Sequence, residues 1–188
     1  MKTIEIKLYQ FNELSEEAQE RALEDFRYIN VDNDWWFDYI MEDAKEFCLS
    51  IEEFNIYRKD CEVVFLHDAD ETIKAIKEGA GGELLGIAQE YEQQVKDLFK
   101  AYSDYEKYQE WLRERDYTLD DLEFEDWVLE ETEYEEDKEN IYIEFLKELG
   151  EYYLSMLQSS YDYHMSDEAI IDTIEANEYE FTENGKRY

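Results

Sequence analysis

Leu84-Leu85-Gly86-Ile87-Ala88-Gln89-Glu90-Tyr91-Glu92-Gln93-Gln94-Val95-Lys96-Asp97-Leu98-Phe99-Lys100-Ala101-Tyr102 is the stretch that decides the fold class. Its apolar residues Leu84, Ile87, Ala88, Tyr91, Val95, Leu98, Phe99 and Tyr102 recur at three and four, the period of one helical face. That predicts a long amphipathic helix. Upstream, Gly79-Ala80-Gly81-Gly82 is the glycine cluster that breaks the pattern, and Ile73, Ile76 and Ala80 carry helical spacing from Asp70 into it. Downstream, Trp111 and Leu112 continue the character and residues 141–157 are helical again. Ser166 reads as the cap of a short helix bearing Ala169, Ile170 and Ile174. Most of the chain is therefore helix.

Strand patterns sit outside this core. Residues 3–9 alternate, with Ile4, Ile6 and Leu8 on one face and Glu5 and Lys7 on the other, which predicts a half-buried strand. Residues 51–57 and 61–66 predict a hairpin around Lys59-Asp60, and Asn184-Gly185 signals a tight turn after Tyr179-Glu180-Phe181-Thr182. Between the first strand and the hairpin, Ser15 caps a helix predicted to reach about Asn30, with Ala18, Ala22, Phe26 and Ile29 as its stripe. A second helix carries Trp35, Trp36, Tyr39, Ile40, Ala44 and Phe47. The expected architecture is a single α+β domain over residues 1–188. It is mostly helical, with a small antiparallel sheet of three or four strands joining the N-terminus, the hairpin and the C-terminus.

Composition narrows the function. The 188 residues hold 53 Asp and Glu against 18 Lys and Arg, a formal net charge of −35 and an isoelectric point near 4.1. Leu, Ile, Val and Phe fill 45 of the 188 positions and there are 17 Tyr and 4 Trp, enough to build a core rather than a disordered acidic chain. Such a charge is repelled by nucleic-acid phosphates and by anionic membranes, so neither is an expected direct partner. No apolar run approaches the ~20 residues of a membrane helix, and Met1-Lys2-Thr3-Ile4-Glu5 has no apolar segment of a signal peptide. Cys48 and Cys61 read as two buried thiols in a reducing cytoplasm. The chain is compatible with a homodimer.

Catalytic signatures are scarce. His67 and His164 have no neighbouring Cys or His at metal-ligand spacing. Asp32 with Asp34, and Asp68 with Asp70, lack the glycine and distal glutamate of a calcium loop and read as caps and turns. The glycine cluster lacks the Lys-Ser/Thr of a phosphate loop, and there is no G-x-S-x-G elbow. The expectation is a non-enzyme without metal or cofactor.

The informative segment is residues 116–137. It holds Asp116, Asp120, Asp121, Glu123, Glu125, Asp126, Glu130, Glu131, Glu133, Glu135, Glu136 and Asp137, with no Lys or Arg among its 22 positions. Tyr117, Leu119, Leu122, Phe124, Trp127, Val128 and Tyr134 are threaded through it as anchors. As one helix the block would be about 33 Å long, a carboxylate every ~2.7 Å, between the charge spacing of a single DNA strand and that of the duplex axis. More carboxylates are expected beside it from Glu16, Glu17 and Glu20, from Asp38, Glu42 and Asp43, and from Glu144, Glu148 and Glu151. One reading is a solvated face that aids solubility or tolerance of salt. The other is a surface offering the charge layout of nucleic acid to a protein that binds nucleic acid, with rings such as Trp127 or Tyr134 exposed in the places of sugars or bases.

The start, Tyr9-Gln10-Phe11-Asn12-Glu13-Leu14-Ser15-Glu16-Glu17-Ala18-Gln19-Glu20-Arg21-Ala22, running to Asp34-Trp35-Trp36, resembles small acidic proteins of phages and mobile elements, some labelled antitoxin-like. The end, from Ser166-Asp167-Glu168-Ala169-Ile170-Ile171 through Glu178-Tyr179-Glu180-Phe181-Thr182-Glu183-Asn184-Gly185, is similar to the same group. That resemblance implies an antitoxin that binds one cognate toxin directly. In composition alone the chain also resembles phage and plasmid DNA mimics that inhibit restriction enzymes or CRISPR effectors. The expected function is that of such an inhibitor, filling the basic channel of a host defence protein, with the antitoxin as the alternative.

Overall fold

A computed structural model describes residues 6–115 and 124–188, with the backbone alone for Glu130 and Glu131. The order is a 3₁₀ turn Phe11–Glu13, α1 (Glu16–Asp25), a 3₁₀ turn Asp34–Phe37, α2 (Asp38–Glu46), β1 (Leu49–Asn55), β2 (Asp60–Phe65), α3 (Ala69–Gly79), α4 (Gly82–Tyr102), α5 (Tyr105–Glu114), α6 (Phe124–Glu131), α7 (Tyr134–His164) and α8 (Asp167–Ala176). The fold is mostly helical α+β with a small antiparallel sheet. The chain divides into two compact units, Met1–Ile40 with Ser155–Tyr188, and Met41–Leu154.

The first unit is built by the two chain ends. Ser15 caps α1 by accepting from the Ala18 amide, and Ser166 caps α8 by accepting from Ala169, so both sequence caps are real. Phe11, Leu14, Ala18, Ala22 and Phe26 share one core with Ile170, Ile174 and Phe181. Helix α1 stops at Asp25, short of the predicted Asn30, because the following turn is held by side chains. The Asn30 amide donates to the carbonyls of Ala169 and His164 at 3.0 and 3.3 Å, and Arg27 reaches the Met165 carbonyl. The Asn184-Gly185 turn forms as predicted, with Gly185 at φ +83°. A side chain there would place its Cβ 2.1 Å from the Ala18 carbonyl oxygen, so only glycine fits.

The predicted N-terminal strand is corrected. Its first residues, 3–5, lie outside the described residues, and Ile6, Lys7 and Leu8 are not strand. Tyr9 alone exchanges two 2.9 Å hydrogen bonds with Phe181, and Phe181 bridges Arg187 on its other side. Pairing stops there because Gln10 turns the chain into the 3₁₀ helix, its amide donating to the Glu13 carboxylate at 2.8 Å. Ile6 is about half exposed and Leu8 only partly buried, so over its described part the alternation of residues 3–9 gives no fully buried apolar face. Among the described residues the sheet therefore has two strands, not three or four.

In the second unit the hairpin forms close to the predicted place. Leu49 pairs with Phe65 and Asn55 with Asp60, with a bulge between Ile51 and Glu53. The Asn55 side chain ends β1 by accepting from the Arg58 amide, and Lys59 takes the left-handed conformation. Asp68 caps α3, which leaves Asp68 and Asp70 as the cap and first turn of a helix. The glycine cluster separates α3 from α4, with Gly82 in the left-handed region. Phe145, Leu149 and Tyr153 are fully buried along α7 at spacings of four, and Phe145 lies against Phe65 and Tyr91. At Gly150 a Cβ would stand 2.6 Å from the Cys61 carbonyl oxygen, so α7 meets the β2 backbone directly. Cys48 and Cys61 are both free.

Candidate acidic interface on α6 and α7

The acid block is anchored from beneath by rings. Tyr108 and Leu112 from α5 form one core with Trp127 and Val128 of α6 and Tyr134 of α7, and Leu98, Phe99 and Tyr102 of α4 pack on it. Trp127 stacks with Phe124 at 6.0 Å and meets Tyr108 at 5.5 Å, and Phe99 lies edge-on to Tyr134 at 5.5 Å. Trp127 and Tyr134 are consequently 6 % and 4 % exposed. That overturns their expected role as exposed rings standing in for sugars or bases. The sequence supplied their apolar character but not the partner rings of α4 and α5 that cover them.

The block is also not one helix over its described part. Helix α6 ends at Glu131 and α7 begins at Tyr134. Thr132 makes the break, its hydroxyl donating to the Val128 carbonyl and accepting from the Tyr134 amide at 3.2 Å. Asp116, Asp120, Asp121 and Glu123 lie outside the described residues. Glu125 and Asp126 are in the first turn of α6, Glu130 and Glu131 end that helix, Glu133 is in the break, and Glu135, Glu136 and Asp137 form the first turn of α7. Carboxylates in first turns are stabilised by the helix dipole, which lowers the cost of collecting them there.

Glu125, Asp126, Glu133, Glu135 and Glu136 are exposed, and among the described residues neither they nor Asp137 joins an ion pair. The adjacent cation, Lys138, sits 3.8 Å from Asp70 and over the rings of Tyr134 and Tyr142. Asp137 accepts a 2.6 Å hydrogen bond from the Tyr102 hydroxyl, a tie to α4 that no local pattern signals. That bond to a carboxylate, reinforced by burial and by the charges of Asp137, Glu133 and Glu136, pushes the Tyr102 hydroxyl up to about 12. Tyr134 is raised by burial and then by Glu135 and Asp70. On the neighbouring surface, Tyr91 is pushed up to about 12 by burial and then by Glu148, Glu144, Glu90 and Glu151. At each of these tyrosines nearby carboxylates add to the leading effect of burial or, for Tyr102, of the Asp137 hydrogen bond.

Of the expected flanking carboxylates, Glu16, Glu17, Glu20, Asp38, Glu42, Glu144 and Glu151 are exposed. Asp43 accepts from the Tyr153 hydroxyl at 3.1 Å, and Glu17, Glu42 and Glu144 pair with Arg21, Lys45 and Lys147. Among the described residues no cluster of three or more His, Cys, Asp or Glu could hold a metal ion, and no helix is long and apolar enough to cross a membrane.

No protein family, characterised protein or solved structure matches this chain.

Proposed function

We propose that the protein is an acidic DNA mimic that inhibits a nucleic-acid-binding host defence protein, of the anti-restriction or anti-CRISPR type, by occupying its basic nucleic-acid channel in the cytoplasm. It acts by binding and not by catalysis. One observation carries the reading: five exposed carboxylates on α6, the break and α7 have no cation partner among the described residues, and an aromatic core holds their backbone in place. Self-repulsion on this scale costs stability, and a preorganised negative surface returns it as fast, steered capture of a basic groove. The carboxylates of two short first turns replace the single long helix as the phosphate substitute.

The experiment combines Glu125→Gln, Asp126→Asn, Glu133→Gln, Glu135→Gln and Glu136→Gln, leaving Asp137 to hold Tyr102. Parent and variant are expressed in hosts that carry a DNA-targeting defence system, and phage plating is counted. The parent should protect phage and the folded variant should lose protection, while duplex DNA competes with the parent for the purified effector. A variant that stays folded and protects as well as the parent overturns the reading.

The antitoxin reading has one observation of its own. The two end segments whose resemblance suggests it pack into a single core. Rescue of cells from one neighbouring toxin, with no protection of phage, would establish it instead.

A further inference from the structure

One group of exposed rings lies on the unit formed by the chain ends, away from the sequence of the acid block. Trp35 is 50 % exposed, and Tyr39 and Tyr163 are each 56 % exposed. Trp35 and Tyr163 both meet the His164 ring, at 4.9 and 5.3 Å, in edge-on contacts that leave ring surface open. The neighbouring Trp36 is buried, and its carbonyl accepts from Ser160 at 2.9 Å, so the turn that presents Trp35 is held rigidly. Burial keeps His164 below the usual imidazole range, hence neutral at pH 7. Asp34 and Asp38 are exposed on the same turn and helix start, and among the described residues no cation lies over the rings of Trp35, Tyr39 or Tyr163.

Half-exposed Trp and Tyr on a fixed scaffold are the residue types that dominate binding energy at interfaces. Carboxylates beside them select a cationic occupant, and a planar guanidinium stacks on rings better than a compact ammonium. The chain uses this geometry internally: Arg187 lies 3.8 Å over Tyr179 and Arg115 4.7 Å over Trp111.

We infer that Trp35, Tyr39 and Tyr163, with Asp34 and Asp38, form a docking patch for arginine side chains of a basic protein partner. This goes beyond phosphate mimicry, because it adds a side-chain preference that a field of carboxylates alone does not impose, and it stands on a different set of residues.

The test titrates the full chain with nona-arginine and nona-lysine peptides at moderate salt, read by calorimetry and by quenching of tryptophan emission. The parent should favour the arginine peptide, and Trp35→Ala with Tyr163→Ala should reduce that preference about fivefold, the size of an exposed cation–π contact. Trp35→Phe, which keeps a ring, should retain most of it and guards against loss of fold in the double variant. The five-carboxylate variant described above should weaken both peptides alike and leave their ratio unchanged, which separates this patch from the acid block. An unchanged ratio in the double variant overturns the inference. So does self-association of the parent that disappears with Trp35→Ala, since the occupant would then be a second copy.

Discussion

Asn30 is 3 % exposed, and its side chain ties the turn after α1 to the end of α7 and to α8, where the Ala169 carbonyl also accepts from the Thr173 hydroxyl. Its amide nitrogen serves the carbonyls of Ala169 and His164, and its oxygen accepts from the Thr173 hydroxyl at 2.7 Å. A buried carbonyl stripped of its donor costs about 1–3 kcal/mol, more than a neutral hydrogen bond contributes when made. Asn30→Leu should therefore lower stability by about 2 kcal/mol even though it adds apolar surface. Asn30→Asp should cost more, since it places a buried negative charge against two carbonyl oxygens. Urea unfolding midpoints check both, and a parent-like midpoint for Asn30→Leu would show that the site is not sealed from water.

At the scale of elements, the contact between α7 and β2 depends on a missing methyl group. Replacing a mid-helix glycine by alanine ordinarily stabilises a helix by about 1 kcal/mol. At Gly150 the new Cβ would lie 2.6 Å from the Cys61 carbonyl, a backbone atom that cannot rotate aside. Overpacking of this kind costs about 1–3 kcal/mol, so the steric term should win. Gly150→Ala should lower the melting temperature and loosen the hairpin around Cys61. That thiol is pushed up to about 11 by burial and then by Asp60, which makes it a poor nucleophile at neutral pH in the parent. Faster labelling of Cys61 by a thiol reagent, in a Cys48→Ser background, is the expected signature. A stabilised variant with slow labelling would mean that the helix and strand simply move apart.

The whole molecule carries its charge against itself. Screening should relieve that repulsion, so the melting temperature at neutral pH should rise as added sodium chloride shortens the Debye length from about 30 Å at 0.01 M towards about 8 Å at 0.15 M. A protein held mainly by surface ion pairs would show the opposite trend. Alkaline pH should act in the destabilising direction. Tyr91 and Tyr102 are pushed up to about 12, and burial followed by nearby carboxylates raises Tyr142 and Tyr153 further. Groups raised in the folded state contribute stability that is complete below their unfolded value. That contribution is lost as pH climbs from about 10, the ordinary tyrosine value. Thermal melts between neutral pH and strong base, with tyrosinate absorbance followed alongside, should show a steep loss of stability above about pH 10. Gradual ionisation of these tyrosines in a protein whose melting point does not change would contradict it.

What the sequence by itself determined is what a few adjacent residues can decide. The caps at Ser15 and Ser166, the long periodic helix α4 and the turn at Asn184-Gly185 all form where local chemistry places them. Each of these needs only hydrogen bonds or a repeat within one segment. The acidic composition likewise fixes the sign of the surface. Tertiary structure alone decided whatever requires a distant partner. Residues 3–9 have a strand pattern, yet over the described part only Tyr9 pairs, because Phe181 is the residue that meets it and Gln10 turns the chain away. Trp127 and Tyr134 look available in an acidic sequence and are buried, because rings of α4 and α5 cover them. Trp35 and Tyr39 look like core in a helical stripe and are exposed, because Trp36 and Ile40 take the buried positions. Periodicity identifies an apolar face, whereas burial depends on which other segment arrives to cover it.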